Sequence, residues 1–353
     1  MKLLIITQKY DINDSNLGVF IIWWNKLAAK IEKLYILALE KQSEPTANNI
    51  KVLSIGKERG VGFLGKIFGF YWGLFKIIGH VDAIFIHMIP KYVILAAPVA
   101  FIFRKPIYLW YTGVSAHSQL KLAVLFCKKV FTAHGAAMRV NTPKRIITGH
   151  GIDTDLFKIT KVKGQMSNVT ILSVGRITPS KGHDLIIKVV ADLVKSGYNL
   201  KLKIIGGVIQ EYHLKYADSL KKLAVELGIG NHVEFIGAIS YDKMPEYFAD
   251  AEILINAVPS GGLDKVVLEA MASGIVPLTS NNAFLTVFQE EIARDLVFKA
   301  GDSDDLKTKL KNIFDKKLYK DEKIRFDLRN IVVRGHNLDD LISKIVKETA
   351  HHG

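Results

Sequence analysis

Apolar runs long enough for a buried strand alternate along the chain with stretches that fit amphipathic helices. Lys2–Thr7, Leu34–Leu39, Lys51–Ile55, Asp82–His87, Pro106–Thr112, Lys129–Ala133 and Arg145–Gly149 read as strands with little internal polarity. After a polar stretch from Lys161 to Asn168 the alternation restarts with Val169–Val174, Leu200–Ile205, His232–Ile236, Glu252–Asn256, Ile275–Thr279 and Asp295–Lys299. Strands separated by helices predict a parallel sheet, and the restart predicts two of them. Between the first two runs, a polar loop from Gln8 to Leu17 leads to Gly18. A helix pattern follows, with Phe20, Trp23, Trp24, Leu27 and Ile31 on one side.

Length agrees with two cores, since 353 residues exceed what a single hydrophobic core supports. Charge separates the halves. Residues 1–150 hold 20 Lys and Arg against 7 Asp and Glu, a net of +13, which leaves 28 against 27 for the remainder. A basic half calls for an anionic partner, nucleic acid or a membrane surface, and no nucleic-acid motif accompanies it. The single cysteine, Cys127, excludes an internal disulfide and a cysteine zinc site, and suits a reducing cytosol. The opening run Met1–Thr7 is too short for a signal peptide. The longest apolar run, Tyr92–Phe103, has 12 residues and contains Pro98, well short of the ~20 that span a bilayer.

Val61–Gly79 is apolar and aromatic, and its only charges, Lys66 and Lys76, fall about 80° apart on a helical wheel. Such a helix either lies in a membrane interface or packs one aromatic face on the sheet. The basic first half favours membrane contact.

Two stretches carry candidate chemistry. From Val258 the chain runs through Pro259 and Ser260 to Gly261 and Gly262, then a helix-compatible segment containing Glu269, a stop at Gly274 and a new strand. A helix that opens at a glycine-rich loop points unpaired N–H groups and a positive dipole end at its ligand, which suits a phosphate. In the second stretch, Gly175-Arg176-Ile177-Thr178-Pro179-Ser180-Lys181-Gly182, another strand turns into another helix. Its guanidinium and ammonium, five residues apart, suit the two phosphates of a nucleoside diphosphate.

Both stretches resemble the signature of the retaining GT-B glycosyltransferases often called family 4, or glycosyl transferases group 1. That signature pairs Gly-Arg with Lys-Gly, and later two glutamates, the second followed by Ala-Met-Ala-x-Gly. Glu269-Ala270-Met271-Ala272-Ser273-Gly274 matches the second glutamate. Where the first is expected stands Gly261, with Asp264 as the nearest carboxylate. The resemblance is strong from Val169 to Ser280 and weaker before Arg145. It implies an α/β GT-B fold, two Rossmann-like parallel-sheet domains facing a central cleft. Residues 1–158 would take the acceptor, residues 159–335 would take the donor, and a closing helix in residues 336–353 would return to the first domain.

The implied donor site comprises Gly18, Gly175, Gly237, Gly262, Leu263, Asp264, Lys265 and Glu269. Arg176 and Lys181 would stabilise the departing diphosphate, and His117, in the loop after a first-domain strand, would assist. The implied reaction moves a sugar from a UDP- or GDP-sugar to a saccharide or lipid-linked acceptor, with retention, in cell-envelope glycan synthesis. It takes no cofactor or metal, and its setting is cytoplasmic, peripheral to the inner face of the membrane. The alternative is an inactive binding protein on the same scaffold, motivated by Gly261.

Three further motifs have duller explanations. Gly60-x-Gly62-x-x-Gly65, with Asp82 further on, fits a dinucleotide fingerprint but does not follow its strand directly. Asp302-Ser303-Asp304 reads as a helix N-cap cluster, and Asp153-Thr154-Asp155 lies in the crossing between domains.

Overall fold

A computed structural model describes residues 1–14, 16–113, 118–159, 168–208, 210–259 and 261–350. The chain forms two compact units, one of Met1–Gly151 with His336–Gly353 and one of Ile152–Gly335. The division falls ahead of the boundary near Ile159 that the sequence suggests. Ile152 and Phe157 are fully buried in the core of the second unit, so the crossing segment packs there. The Asp153 carboxylate accepts hydrogen bonds from the backbone N–H groups of Asp155 and Leu156, which closes the turn and accounts for the Asp153-x-Asp155 motif without a metal.

The first unit is built on seven parallel strands, β1 (Lys2–Tyr10), β2 (Lys33–Lys41), β3 (Ile50–Ser54), β4 (Ala83–His87), β5 (Ile107–Trp110), β6 (Cys127–Thr132) and β7 (Arg145–Ile147), in the order β3-β2-β1-β4-β5-β6-β7. Every residue of β4 and β5 is buried, as expected of parallel strands covered on both faces. β1 runs three residues beyond its apolar run, pairing Lys9 with Glu40 and Tyr10 with Lys41. The Lys9 ammonium makes this polar end tolerable, because it meets Asp11 at 3.0 Å and Asp14 at 2.8 Å. Helix α1 (Val19–Ala28) buries Trp23 and Trp24 beside His87 and Trp110. Helices α2 (Phe63–Ile78), α3 (Pro90–Ile102) and α4 (Ser118–Phe126) share one core with Leu4, Ile6, Ile84, Ile86, Leu109 and Val130 of the sheet.

The second unit has five parallel strands, β8 (Val169–Val174), β9 (Leu200–Ile205), β10 (Val233–Gly237), β11 (Ile253–Asn256) and β12 (Val276–Thr279), in the order β10-β9-β8-β11-β12. Helices α5 (His183–Lys195), α6 (Leu214–Glu226), α7 (Met244–Ala249) and α8 (Lys265–Ala272) connect them. The strand expected at Asp295–Lys299 does not form. Helix α9 (Glu290–Leu296) runs into it, leaving Val297 bridged to Thr279 and Phe298 in the core. Asn312 of the next helix, α10 (Ser303–Asp315), donates to the Asp295 carboxylate at 2.6 Å, holding that residue in a helical turn. Asp302 caps α10, accepting from the N–H groups of Asp304 and Asp305, as its sequence context predicts. Helix α11 (Glu322–Gly335) is fastened by Arg325, which donates to the Gly274 carbonyl at 2.7 Å. The chain then rejoins the first unit as α12 (Leu338–Ala350), where Lys26 of α1 meets Asp339 at 2.9 Å.

In the second unit the strand order reverses between β8 and β11, and the connections from these two strands leave in opposite directions. This is where open α/β sheets bind ligands, beyond the carboxyl ends of the strands. The ends beside it are closely packed: a Cβ added at Gly206 would lie 1.8 Å from the Gly175 carbonyl oxygen. Gly206→Ala is expected to destabilise the second unit by about 3 kcal/mol, read as a shift of its urea transition; a change below about 0.5 kcal/mol would show that this backbone gives way freely.

Candidate functional site

The site is assembled from three glycine turns at strand ends. Gly175 follows β8, Gly206 follows β9 and Gly237 ends β10, and they form a bare backbone row. Gly175 N–H donates to the Ile205 carbonyl and Gly206 N–H to the Gly237 carbonyl, both at 2.9 Å. With no side chains there, a ligand can approach the backbone directly. The Gly175–Gly182 loop folds over this row. The Lys181 stem lies against Gly175, where an added Cβ would meet it at 3.2 Å. Gly182, at φ +63°, turns into α5 so close to Ala257 that a Cβ would lie 2.8 Å from the alanine methyl. Arg176 is exposed and Lys181 half-buried, so both cations are available to a ligand.

Beneath the loop, His183 is buried and shares a 3.0 Å hydrogen bond with Ser173. Burial pushes its pKa down to about 4, so it is neutral and leaves the cationic role to Arg176 and Lys181.

From the β11 side comes the Gly261–Asp264 turn leading into α8. Gly262 and Leu263 form the turn, with Leu263 anchored in the core. Asp264 stands at the N-cap of α8, yet its side chain does not cap the helix. Asn281, just beyond β12, donates one amide to the Asp264 carboxylate at 3.0 Å and to the Gly262 carbonyl at 2.8 Å. The first N–H groups of α8 have no partners within the helix, as at any helix start. Burial raises the Asp264 pKa, while Asn281 and the Lys181 charge hold it down. The Lys181 charge thus reaches Asp264 from the β8 loop. Asn281 had no signal in the sequence, because its partners stand seventeen and nineteen residues earlier.

Glu269 is buried within α8 and accepts a hydrogen bond from the Tyr241 hydroxyl at 2.8 Å. Burial raises the Glu269 pKa; Tyr241 and the Lys265 charge oppose this. Burial and the neighbouring carboxylate hold the Tyr241 phenol well above its ordinary pKa, so it remains a donor. Lys265 stands one turn before Glu269. The sequence assigned it to the donor through its backbone; the structure adds a solvent-shielded ammonium, with a pKa lowered to about 8 by burial and held up by Glu269. The sequence pointed to Glu269 alone. Tyr241, four residues after Gly237, is the neighbour that it missed.

Gly18 belongs to the first unit, in a tight turn where an added Cβ would lie 2.5 Å from the Asp14 carbonyl oxygen. His117 lies outside the described residues. Gly60 follows a short turn of 3-10 helix at Lys57–Arg59 rather than a strand, so the dinucleotide fingerprint lacks its strand–turn–helix context. Among the described residues no three His, Cys, Asp or Glu side chains converge as a metal would require.

Residues 157–328, all in the second unit, match the family model described as Glycosyl transferases group 1. Structures similar over 99% of this chain include Anabaena Alr3699/HepE in complex with UDP, at TM-score 0.79 and 16% identity over 100% of that chain. WaaG, a glycosyltransferase involved in lipopolysaccharide biosynthesis, follows at TM-score 0.64 and 14% identity, again over 99% of each chain. The fold is therefore that of the GT-B glycosyltransferases, with two parallel-sheet units. Among curated relatives, the Dictyostelium discoideum GDP-Man:Man(3)GlcNAc(2)-PP-Dol alpha-1,2-mannosyltransferase is 30% identical over 133 residues, 36% of this chain and 26% of that protein. The Mycobacterium tuberculosis GDP-mannose-dependent alpha-(1-6)-phosphatidylinositol monomannoside mannosyltransferase is 28% identical over 149 residues, 37% of each. The match thus spans between a quarter and two fifths of these relatives.

Lys265 offers a direct test of the buried cluster. Its folded pKa, about 8, lies below the ordinary lysine value of 10.5, so the unfolded chain holds the proton more tightly. The folded unit is penalised in full below about 8, and the penalty fades as pH rises towards 10.5. Lys265→Met is expected to stabilise the second unit more at pH 7.5 than at pH 9.5, the advantage shrinking by about 2 kcal/mol. Urea unfolding at the two pH values measures this, and a pH-independent difference would contradict the assignment.

Proposed function

We propose that the protein transfers a sugar from a nucleoside-diphosphate sugar, of UDP or GDP type, to a saccharide or lipid-linked acceptor with retention of configuration. The observation that carries the reading is the convergence of the Gly175–Gly182 loop, the start of α8 and buried Glu269 at the strand-order reversal, within the stretch that matches the group 1 family. Two mannosyltransferases named for GDP donors and a structure in complex with UDP support both bases.

In this reading, family 4 in kind, the diphosphate lies on the bare glycine row against the start of α8. Arg176 and Lys181 meet its oxygens, and Glu269, aimed by Tyr241, accepts from the ribose hydroxyls. Asp264, held by Asn281, contacts the sugar in place of the missing first glutamate. As the bond between the anomeric carbon and the phosphate oxygen breaks, the sugar becomes oxocarbenium-like and negative charge grows on the diphosphate. The cations and helix amides face that growing charge, which is electrostatic preorganisation. The acceptor oxygen bonds to the same face of the anomeric carbon, and its proton passes to the departing phosphate. The first unit takes the acceptor, in a cytoplasmic setting of cell-envelope synthesis, and His117 is assigned to assist. No metal or cofactor takes part in this scheme.

A second reading is a binding protein without activity. Gly261, at φ +148° and with open space at its Cβ position, places no carboxylate on the sugar side. Detectable sugar transfer eliminates it.

Calorimetric titration with UDP, GDP and ADP is expected to show selective binding of one diphosphate, weakened by Glu269→Ala; no binding by any of them would overturn the donor site. Lys181→Ala is expected to lower turnover by roughly a hundredfold or more while changing stability by less than about 1 kcal/mol. The reverse pattern, a large loss of melting temperature with unchanged turnover, would reduce Lys181 to a structural role.

A further inference from the structure

We propose that the outer face of the α2–α4 layer in the first unit docks on an anionic lipid surface. The inference rests on that unit alone and is independent of the donor reading.

Helix α2 is apolar over most of its circumference, with Lys66 and Lys76 as its only charges. Phe70, Leu74, Ile77 and Ile78 face the core, while Leu64, Phe68, Trp72 and Phe75 are exposed, Phe68 to 73% and Trp72 to 43%. On a wheel those four exposed residues fall within an arc of about 80°, outside the arc of about 100° that holds the buried four. One-sided packing therefore accounts for only half of this helix. The exposed stripe continues onto the end of α3, where Phe103 lies 6.4 Å from the Phe75 ring and Phe101 is 86% exposed. A surface hollow beyond it is lined by Phe101, Lys105, Phe126 and Lys128, which brings in the end of α4. Leu125 is exposed on the same helix. A connected apolar surface of this kind marks an interaction site rather than scattered exposure.

Charge decides the occupant. From Arg59 to Ile152 the chain has twelve Lys and Arg and a single carboxylate, Asp82, which accepts from the Lys2 backbone N–H at 2.7 Å. Among the described residues, no ion pair joins Lys66, Lys76, Arg104, Lys105 or Lys128 to a carboxylate. A second copy docked here would bring the same cations face to face. An anionic bilayer supplies the opposite charge and an apolar layer beneath it. Lys76 lies 3.8 Å over the Trp72 ring and Lys91 5.5 Å over that of Phe63, placing ammonium groups beside aromatic bodies as the headgroup boundary requires. Among the described residues, no helix is long and apolar enough to cross the bilayer, so the contact lies along its surface.

Trp72 is a built-in reporter, because Trp23, Trp24 and Trp110 are buried at 0%, 0% and 1% exposure. Full-length protein is mixed with vesicles of phosphatidylcholine containing about a third phosphatidylglycerol, and with vesicles of phosphatidylcholine alone. The expected result is co-sedimentation with the anionic vesicles and a blue shift of tryptophan emission that Trp72→Phe abolishes. Phe68→Ser with Phe75→Ser should lower partitioning at least about tenfold, and Arg104→Gln with Lys105→Gln by roughly fivefold per cation, at unchanged melting temperature. Absence of binding to anionic vesicles at low salt would overturn the proposal, as would binding that leaves Trp72 emission unmoved. So would equal partitioning to neutral vesicles, or a dimer in solution that Phe68→Ser with Phe75→Ser dissolves, which would make a second copy the occupant.

Discussion

A parallel sheet covered by helices on both faces presents its chemistry at the strand ends. In the second unit that constraint is sharpest between β8 and β11, the point where the strand order reverses. The loops leaving there must diverge, and the space between them is bounded by backbone. Gly175, Gly206 and Gly237 keep that backbone bare, and the contact between Gly206 and the Gly175 carbonyl leaves no volume for a methyl group. Arg176 and Lys181 owe their position to this turn, and among the described residues no ion pair ties either to a carboxylate. The cations can therefore change their ligand without any change in the fold beneath them.

The buried cluster works the opposite way. Lys265, Glu269 and Tyr241 sit where charge is costly, and each has its pKa moved in the direction that burial dictates. Opposite charges buried near one another contribute little net stability, because desolvation offsets most of the attraction. The return is geometric: Glu269 is fixed by a hydroxyl from another element, with the Lys265 charge one turn away. In the proposed donor role, a carboxylate prepared in this manner meets a ligand hydroxyl without reorganising, and the protein bears the cost before the ligand arrives.

Much of the frame was legible in the sequence because parallel strands are buried on both faces and so read as unbroken apolar runs. The strands among the described residues follow those runs; Arg176 and Lys181 fall between β8 and α5, Asp264 at the start of α8 and Glu269 inside it, as the pattern implied. The errors share one cause, which is that local pattern does not record distant partners. Lys9 extends β1 where Glu40 of β2 lies beside it, and Asp295 stays helical where Asn312 holds it. Tyr241 reaches Glu269 across twenty-eight residues, and Asn281 reaches Asp264 across seventeen. Val61–Gly79 was open between packing and exposure for a related reason. Hydrophobicity shows how apolar each side of a helix is, but which side meets the core depends on the helix's neighbours.

Unequal charge in the two units has a physical role beyond attraction. An aromatic surface such as that of Phe68, Trp72 and Phe75 favours self-association in water, since burying it against another copy removes apolar area from solvent. The first 150 residues carry a net +13, and the cations around the patch would be forced together in any such pairing. That repulsion opposes association between copies. The remainder of the chain, with 28 cations against 27 anions, leaves few large apolar side chains exposed and needs no such protection. Charge that keeps two basic faces apart also draws the same face to an anionic one. Apolar area and like charge thus act together on the first unit, and the anionic-surface docking proposed above rests on their sum.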